Sequence, residues 1–208
     1  WERRHAAPII QPRLFASRSF TAASIGQVLH FGVMFGLLLA IPLALEARGG
    51  FSDLEIGLVL TAMSLSMALA GPVGGRLADR FGRMAPSAAG AVVGAAGVLI
   101  LVLAGADAET VTIIAALIVV GLGLGGANPG RNTAVLEAVS RDQVGVASGV
   151  YSTARHFGGI TAAAIIAGLV GTGEVTANAV ETIYLVALGG ALLGIVANAA
   201  IRPRPAAD

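Results

Sequence analysis

Four charged residues, Arg76, Asp79, Arg80 and Arg83, fall within eight positions of the stretch GPVGGRLADRFGRM (71–84), which lies between two long apolar runs. A carboxylate set among guanidiniums forms ion pairs and charge-assisted hydrogen bonds, and it can accept from the free N–H groups at a helix N-terminus. Glu137, at the end of a later apolar run, and Asp142 are available as partners for Arg80 and Arg83. Such a group can pair with other segments of the chain. The plainer reading is an arginine cluster that only sets orientation, but orientation alone requires neither Asp79 nor Gly75 and Gly82.

Other polar residues stand inside apolar runs, where each one needs a reason. Arg155 lies about 18 Å from Gln143 at 1.5 Å per residue, so it should face a bundle interior or a watery cavity, with His156 beside it. The alternative is a guanidinium that snorkels to the headgroups or binds carbonyls. Gln27, His30 and Met34 recur at helical spacing on one face, and Asn128 and Asn132 stand one turn apart on another run. Both sets suit the wall of a cavity for bulky, weakly polar compounds; their alternative role is to hold helices together. His30 is also a candidate proton carrier. Met63 and Met67 read as packing.

Several chemistries find little support. Gly121 to Gly126 (GLGLGG) satisfies G-x-G-x-x-G, yet a dinucleotide fold also needs alternating strands and an acid about 20 residues on. Close helix packing through small residues, interrupted at Asn128-Pro129-Gly130, explains the run better. There is no cysteine and no metal-ligand spacing, and no cofactor or metal is expected. Ser148, in Gly145-Val146-Ala147-Ser148-Gly149, is the only nucleophile-like position, which leaves a six-span intramembrane serine protease as an alternative. Its nearest histidine, His156, would sit two turns away on the same helix. The chain is not expected to be an enzyme.

The elements that must carry these residues follow from composition. The chain is 56% hydrophobic and 12% charged, with a mean hydropathy of +0.84. Soluble domains carry about a quarter charged residues, so the chain reads as an all-α membrane protein. A net charge of +1 argues against a nucleic-acid partner. Six segments reach membrane-spanning length: about 22–45, 54–75, 87–104, 111–135, 144–171 and 183–200. Residues 1–20 read as an interfacial connector, 21–202 as the bundle and 203–208 as a tail. Helix starts are expected at Ser52 to Glu55, Ser140 to Gln143 and Asn178 to Glu181, where a capping acceptor precedes Glu or Gln by three residues.

With six alternating spans, Arg3, Arg4, Arg13, Arg18, Arg76, Arg80, Arg83, Arg131, Arg141, Arg202 and Arg204 fall on one side and Arg48 alone on the other. The positive-inside rule then places both ends of the chain in the cytoplasm of the cell (inner) membrane. Every basic residue is arginine, and Ala and Gly are abundant, which suggests a high-GC bacterial genome.

Gly75-Arg76-Leu77-Ala78-Asp79-Arg80-Phe81-Gly82-Arg83 resembles the loop motif G-x-L-A-D-R-x-G-R of the major facilitator superfamily of transporters. The run GLGLGGANPGRNTAVLEAV with RDQVGVASGVYSTARHFGG, and the opening ERRHAAPIIQPRLFASRSF, are similar to the fourteen-span drug:proton antiporter branch. Met84 departs from the motif, where a basic residue often follows. The resemblance covers nearly the whole chain and implies the C-terminal six-helix half of such a transporter, forming one wall of a pathway completed by an N-terminal half. It further implies export of drugs or other hydrophobic solutes by alternating access, with protons as the coupling ion and lipid as the surroundings. In that setting the loop of Asp79 would latch the inward face. No span holds a buried Asp or Glu, so a titrating carboxylate would lie in the other half. The start at Trp1 reads as the interior of a longer polypeptide; a half-size carrier working as a dimer is the third possibility.

Overall fold

A computed structural model describes residues 12–171 and 175–201 of the chain. Most of the expected connector, with Arg3 and Arg4, part of the last outer loop, and the tail with Arg202 and Arg204 lie outside the described residues. A 3-10 turn, Pro12–Ala16, leads into six helices: α1 (Arg18–Arg48), α2 (Asp53–Phe81), α3 (Met84–Ala104), α4 (Thr110–Glu137), α5 (Val144–Val170) and α6 (Ala177–Ala199). All six are long and apolar enough to cross a membrane.

Local chemistry sets most helix ends. Ser52 accepts from the Glu55 amide while the Glu55 carboxylate takes the Ser52 N–H, the reciprocal capping box expected at α2. At 140–143 the segment instead forms a 3-10 turn, closed by Gln143 N–H donating to the Ser140 carbonyl at 2.9 Å. The last cap falls two residues before the expected one. Thr176 is extended, with φ −91° and ψ 154°, and its hydroxyl accepts from Ala179, which leaves Asn178 inside the first turn.

The larger departure concerns 71–84. Rather than forming an arginine-rich loop, α2 continues through Gly71-Pro72-Val73-Gly74-Gly75 to Phe81, so Arg76, Asp79 and Arg80 occupy its final turns. The turn itself is short and pivots on Gly82, whose φ of 80° favours a residue without Cβ. Gly74 is used for contact rather than for bending. A Cβ there would strike the Gly126 backbone of α4, and this close approach rewards continued helix.

Helix α4 packs on α2 and α3, α1 packs on α5 and α6, α3 meets α6, and α1 meets α4. Exchanging α1 with α4, α2 with α5 and α3 with α6 maps this set of contacts onto itself. The bundle is therefore two three-helix repeats, the arrangement many transporters use. Small residues draw the backbones together: Gly90, Gly94 and Gly97 of α3 against Gly123, Ala127 and Val120 of α4, Gly121 and Gly125 against Met63 and Met67, and Gly158 of α5 against Val28.

The core is split. One apolar cluster, including Leu37, Ile41, Leu101, Ile113, Leu117 and Tyr184, fills the end away from the arginines. A smaller one, with Leu14, Phe20, Val135, Ala147, Tyr151 and Ile201, fills the arginine-rich end. At the far end Arg48 donates to the carbonyls of Ala106 and Ala108 and ties α1 to the α3–α4 loop. Outward faces are apolar too: Leu54, Leu58, Leu65 and Leu69 on α2, and Phe157 and Ile160 on α5, are exposed.

Candidate functional site

A polar layer lies between the two apolar clusters. Its centre is Arg131 on α4, only 1% exposed. Its Nη2 donates to His30 Nδ1 at 2.5 Å and its Nη1 to Asn198 Oδ1 at 3.4 Å. Because a guanidinium only donates, His30 Nδ1 accepts, and the neutral ring carries its proton on Nε2. Asn198 is held in turn by donating from Nδ2 to the Gly194 carbonyl. Tyr151 on α5 donates to Gln27 Oε1 at 2.8 Å. Four helices are thus cross-linked by side chains. Gly26 makes the room, since a Cβ there would stand 3.2 Å from Arg131 Cδ and 3.4 Å from Asn198 Nδ2.

This placement corrects the expectation that Arg131 sits at the water interface. Six residues from the end of α4, it is close enough to the rim to look interfacial, but its turn of helix faces α1 and α6 rather than solvent. Gln27 is 0% exposed and His30 is buried, so the bundle holds them inside rather than on an open wall. Gln27 Nε2 and Arg131 Nε have no hydrogen-bond partner.

Arg155 stands one turn beyond Tyr151 on α5, about 16 Å along the helix from Val144 at 1.5 Å per residue. Its guanidinium carbon lies 5.0 Å from the centre of the Phe31 ring, and Phe31 is one turn beyond Gln27 on α1. Tyr151–Gln27 and Arg155–Phe31 are therefore successive rungs between the same two helices. Arg155 makes no hydrogen bond or ion pair among the described residues, and its Nε is buried without a partner. Met34, a further turn along α1, is half-buried against the larger apolar cluster. Asn128 and Asn132 are half-buried on α4, and Asn128 Oδ1 is buried without a partner.

At the arginine-rich end, Arg83 Nη2 pairs with Glu137 Oε1, the two side chains being 17% and 37% exposed. This joins the α2–α3 turn to the end of α4. Arg80 turns elsewhere and lies 5.2 Å over the Phe81 ring, and Asp142 forms no ion pair with it among the described residues. Asp79 is exposed and has no ion-pair partner among the described residues. Gly75 sits against the Pro129 ring, 4.0 Å from where a Cβ would be. Ser148 and His156 are both exposed on α5, and eight residues of helix, about 12 Å, keep them apart.

Sequence reasoning overlooked Tyr151 and Asn198. Tyr151 carried a signal, since it precedes Arg155 by four residues and so shares its face. Asn198 carried a weaker one, an amide inside an apolar span.

The family model for the Major Facilitator Superfamily matches residues 23–208. The chain belongs to this superfamily. Its bundle of six membrane-length helices is a half-domain of that fold. It is 27% identical to an uncharacterized MFS-type transporter, YvkA of Bacillus subtilis (strain 168), over 97% of this chain and 44% of that protein. It is 30% identical to the multidrug transporter protein MdtP of the same organism, over 76% of this chain and 29% of that protein. With the multidrug resistance protein Stp of Mycobacterium tuberculosis (strain ATCC 25618 / H37Rv), identity is 28% over 79% and 30% of the two chains. The chain thus spans less than half the length of these curated relatives.

Proposed function

We propose that the full-length transporter exports drugs or other hydrophobic small molecules in exchange for protons, and that this chain supplies one of two rocking halves. The observation that carries the reading is the polar layer of α1, α4 and α5, set at depth in a bundle whose α2 and α5 expose apolar faces. Polar and charged side chains buried in a membrane are costly and mark solute or ion pathways. The names of MdtP and Stp support export of drugs. The second half would pack on α2 and α5, and alternating access would come from rocking about the site between the halves.

In this scheme Gln27, His30, Met34, Asn128, Asn132 and Arg155 line or back the solute path. Gly75, Asp79, Arg80, Gly82, Arg83 and Glu137 form the gate at the arginine-rich end, which faces the cytoplasm of the cell membrane by the positive-inside rule. Arg83–Glu137 holds the turn in place, leaving exposed Asp79 for the partner half. Every described Asp and Glu lies at a helix end or in a loop, so the proton-carrying carboxylate belongs to the other half.

The test is transport of hydrophobic fluorescent dyes, zwitterionic and cationic members compared, by the full-length protein in proteoliposomes. A pH gradient should drive it, and collapsing the gradient should stop it. Asp79→Asn, inserted at normal level, should slow transport at least several-fold. Transport indifferent to the gradient would remove proton coupling, and undiminished transport by Asp79→Asn would remove the gate.

A further inference from the structure

The proposed transport path has a sign. Two guanidiniums, Arg131 and Arg155, stand inside the bundle, and the described spans hold no carboxylate except at their ends. The groups around them are neutral: Gln27, His30 and Phe31 on α1, Tyr151 on α5 and Asn198 on α6.

The two cations are not equivalent. Arg131 is 1% exposed, donates to His30 and Asn198, and is sealed from both ends by the apolar clusters. Arg155 is half-buried, lies over the Phe31 ring and makes no hydrogen bond or ion pair among the described residues. A guanidinium has five N–H donors in a planar fork matched to a carboxylate, sulfonate or phosphate. The ring contact at 5.0 Å occupies none of these N–H donors. One turn away, Gln27 Nε2 is a second donor, fully buried and without a partner. Beside the fork, Phe31, Met34 and Phe35 make an apolar strip, with the Phe31 and Phe35 rings 6.1 Å apart.

We propose that Arg155 is the specificity residue of the pathway, taking the anionic group of an amphipathic solute whose apolar body lies along Phe31, Met34 and Phe35. This rests on the export reading above and narrows its substrate class to organic acids and zwitterions. Arg131 contributes field only, since it is 1% exposed and held by His30 and Asn198. This half of the site brings two positive charges and no negative one, which disfavours a lipophilic cation and draws in a carboxylate.

A matched pair of dyes tests this without any mutation. Rhodamine B bears a free carboxylate, and its ethyl ester has the same ring system without one. With full-length protein in lipid nanodiscs, fluorescence anisotropy corrected for protein-free discs should show rhodamine B bound about tenfold or more tightly than the ester. Arg155→Gln should erase the preference by weakening the acid and not the ester, and Arg155→Lys should keep most of it. Equal or tighter binding of the ester to wild type overturns the assignment even where Arg155→Gln fails to fold. An equal loss of both dyes in a folded Arg155→Gln protein also overturns it, since that is the signature of a packing role or of a fixed pair with the other half. Proteoliposome transport separates the two readings. Transport of the ester alone leaves export standing and removes this proposal, whereas transport of neither dye, nor of ethidium, removes both.

Discussion

Adding a single methyl group at Gly123 should loosen the bundle, while the same addition three residues along α4, at Gly126, should tighten it. A Cβ on Gly123 would lie 2.5 Å from Gly94 Cα and 2.6 Å from the Gly90 carbonyl oxygen, with the Gly94 amide nitrogen closer still. Ordinary Cβ contacts fall at 3.4–4 Å, and all three neighbours are backbone that no side-chain rotation can move. Helix α3 must therefore withdraw by about 1 Å as a body. That withdrawal also opens the Gly90–Ala127 and Gly97–Val120 contacts of the same seam. Overpacking costs about 1–3 kcal/mol where side chains can yield, so Gly123→Ala belongs at about 3 kcal/mol. At Gly126 a Cβ meets nothing within 4 Å. There alanine brings only its helix propensity, a gain of about 0.5–1 kcal/mol. The two variants should differ by about 3–4 kcal/mol, which at about 2–4 °C per kcal/mol is a gap on the order of 8 °C in Tm. Thermal unfolding of the purified full-length protein in one detergent, followed by loss of the monodisperse peak, reads this difference. Equal Tm values, or a more stable Gly123→Ala, would mean that α3 and α4 do not meet backbone to backbone, and the helix order around α4 would fall with them.

The polar layer and the rim pair make separate predictions. Tyr151→Phe leaves Gln27 buried with neither end of its amide satisfied and should cost about 1–2 kcal/mol in denaturant unfolding. Adding Gln27→Leu should recover most of that loss, and losses that simply add would show that the two side chains do not bond. Glu137→Arg should destabilise the half-exposed rim by no more than about 1 kcal/mol. The exchange Arg83→Glu with Glu137→Arg should restore stability, and failure of the exchange to restore it would reduce the pair to an incidental contact.

How much of this could be read from the chain depends on how local each cause is. Spans of about 20 apolar residues need only length and composition, and the described residues hold six helices of that kind. The α2 start was readable because Ser52 and Glu55 cap each other across three residues. The start of α6 was misplaced because Asn178 and Thr176 were both suitable acceptors, and the extended backbone at Thr176 chose between them. The Gly-Pro-Val-Gly-Gly run carried every local sign of a turn. What keeps it helical is the Gly126 backbone, 52 residues away from Gly74 in the chain.

The site divides along the same line. Residue types and helical spacing were enough to single out Gln27, His30 and Arg155 as polar groups in apolar surroundings, since burial in lipid makes such groups conspicuous wherever they point. Their partners were not available to that reasoning. His30 meets Arg131 across 101 residues and Gln27 meets Tyr151 across 124, and no periodicity along one helix says which face of another it will find. Composition and charge alone therefore determined six membrane-length helices with an arginine-rich end. Tertiary packing decided that Arg131 lies inside the bundle and that Arg155 lies over the Phe31 ring, because a side chain's neighbours on other helices are set by how those helices rotate and cross.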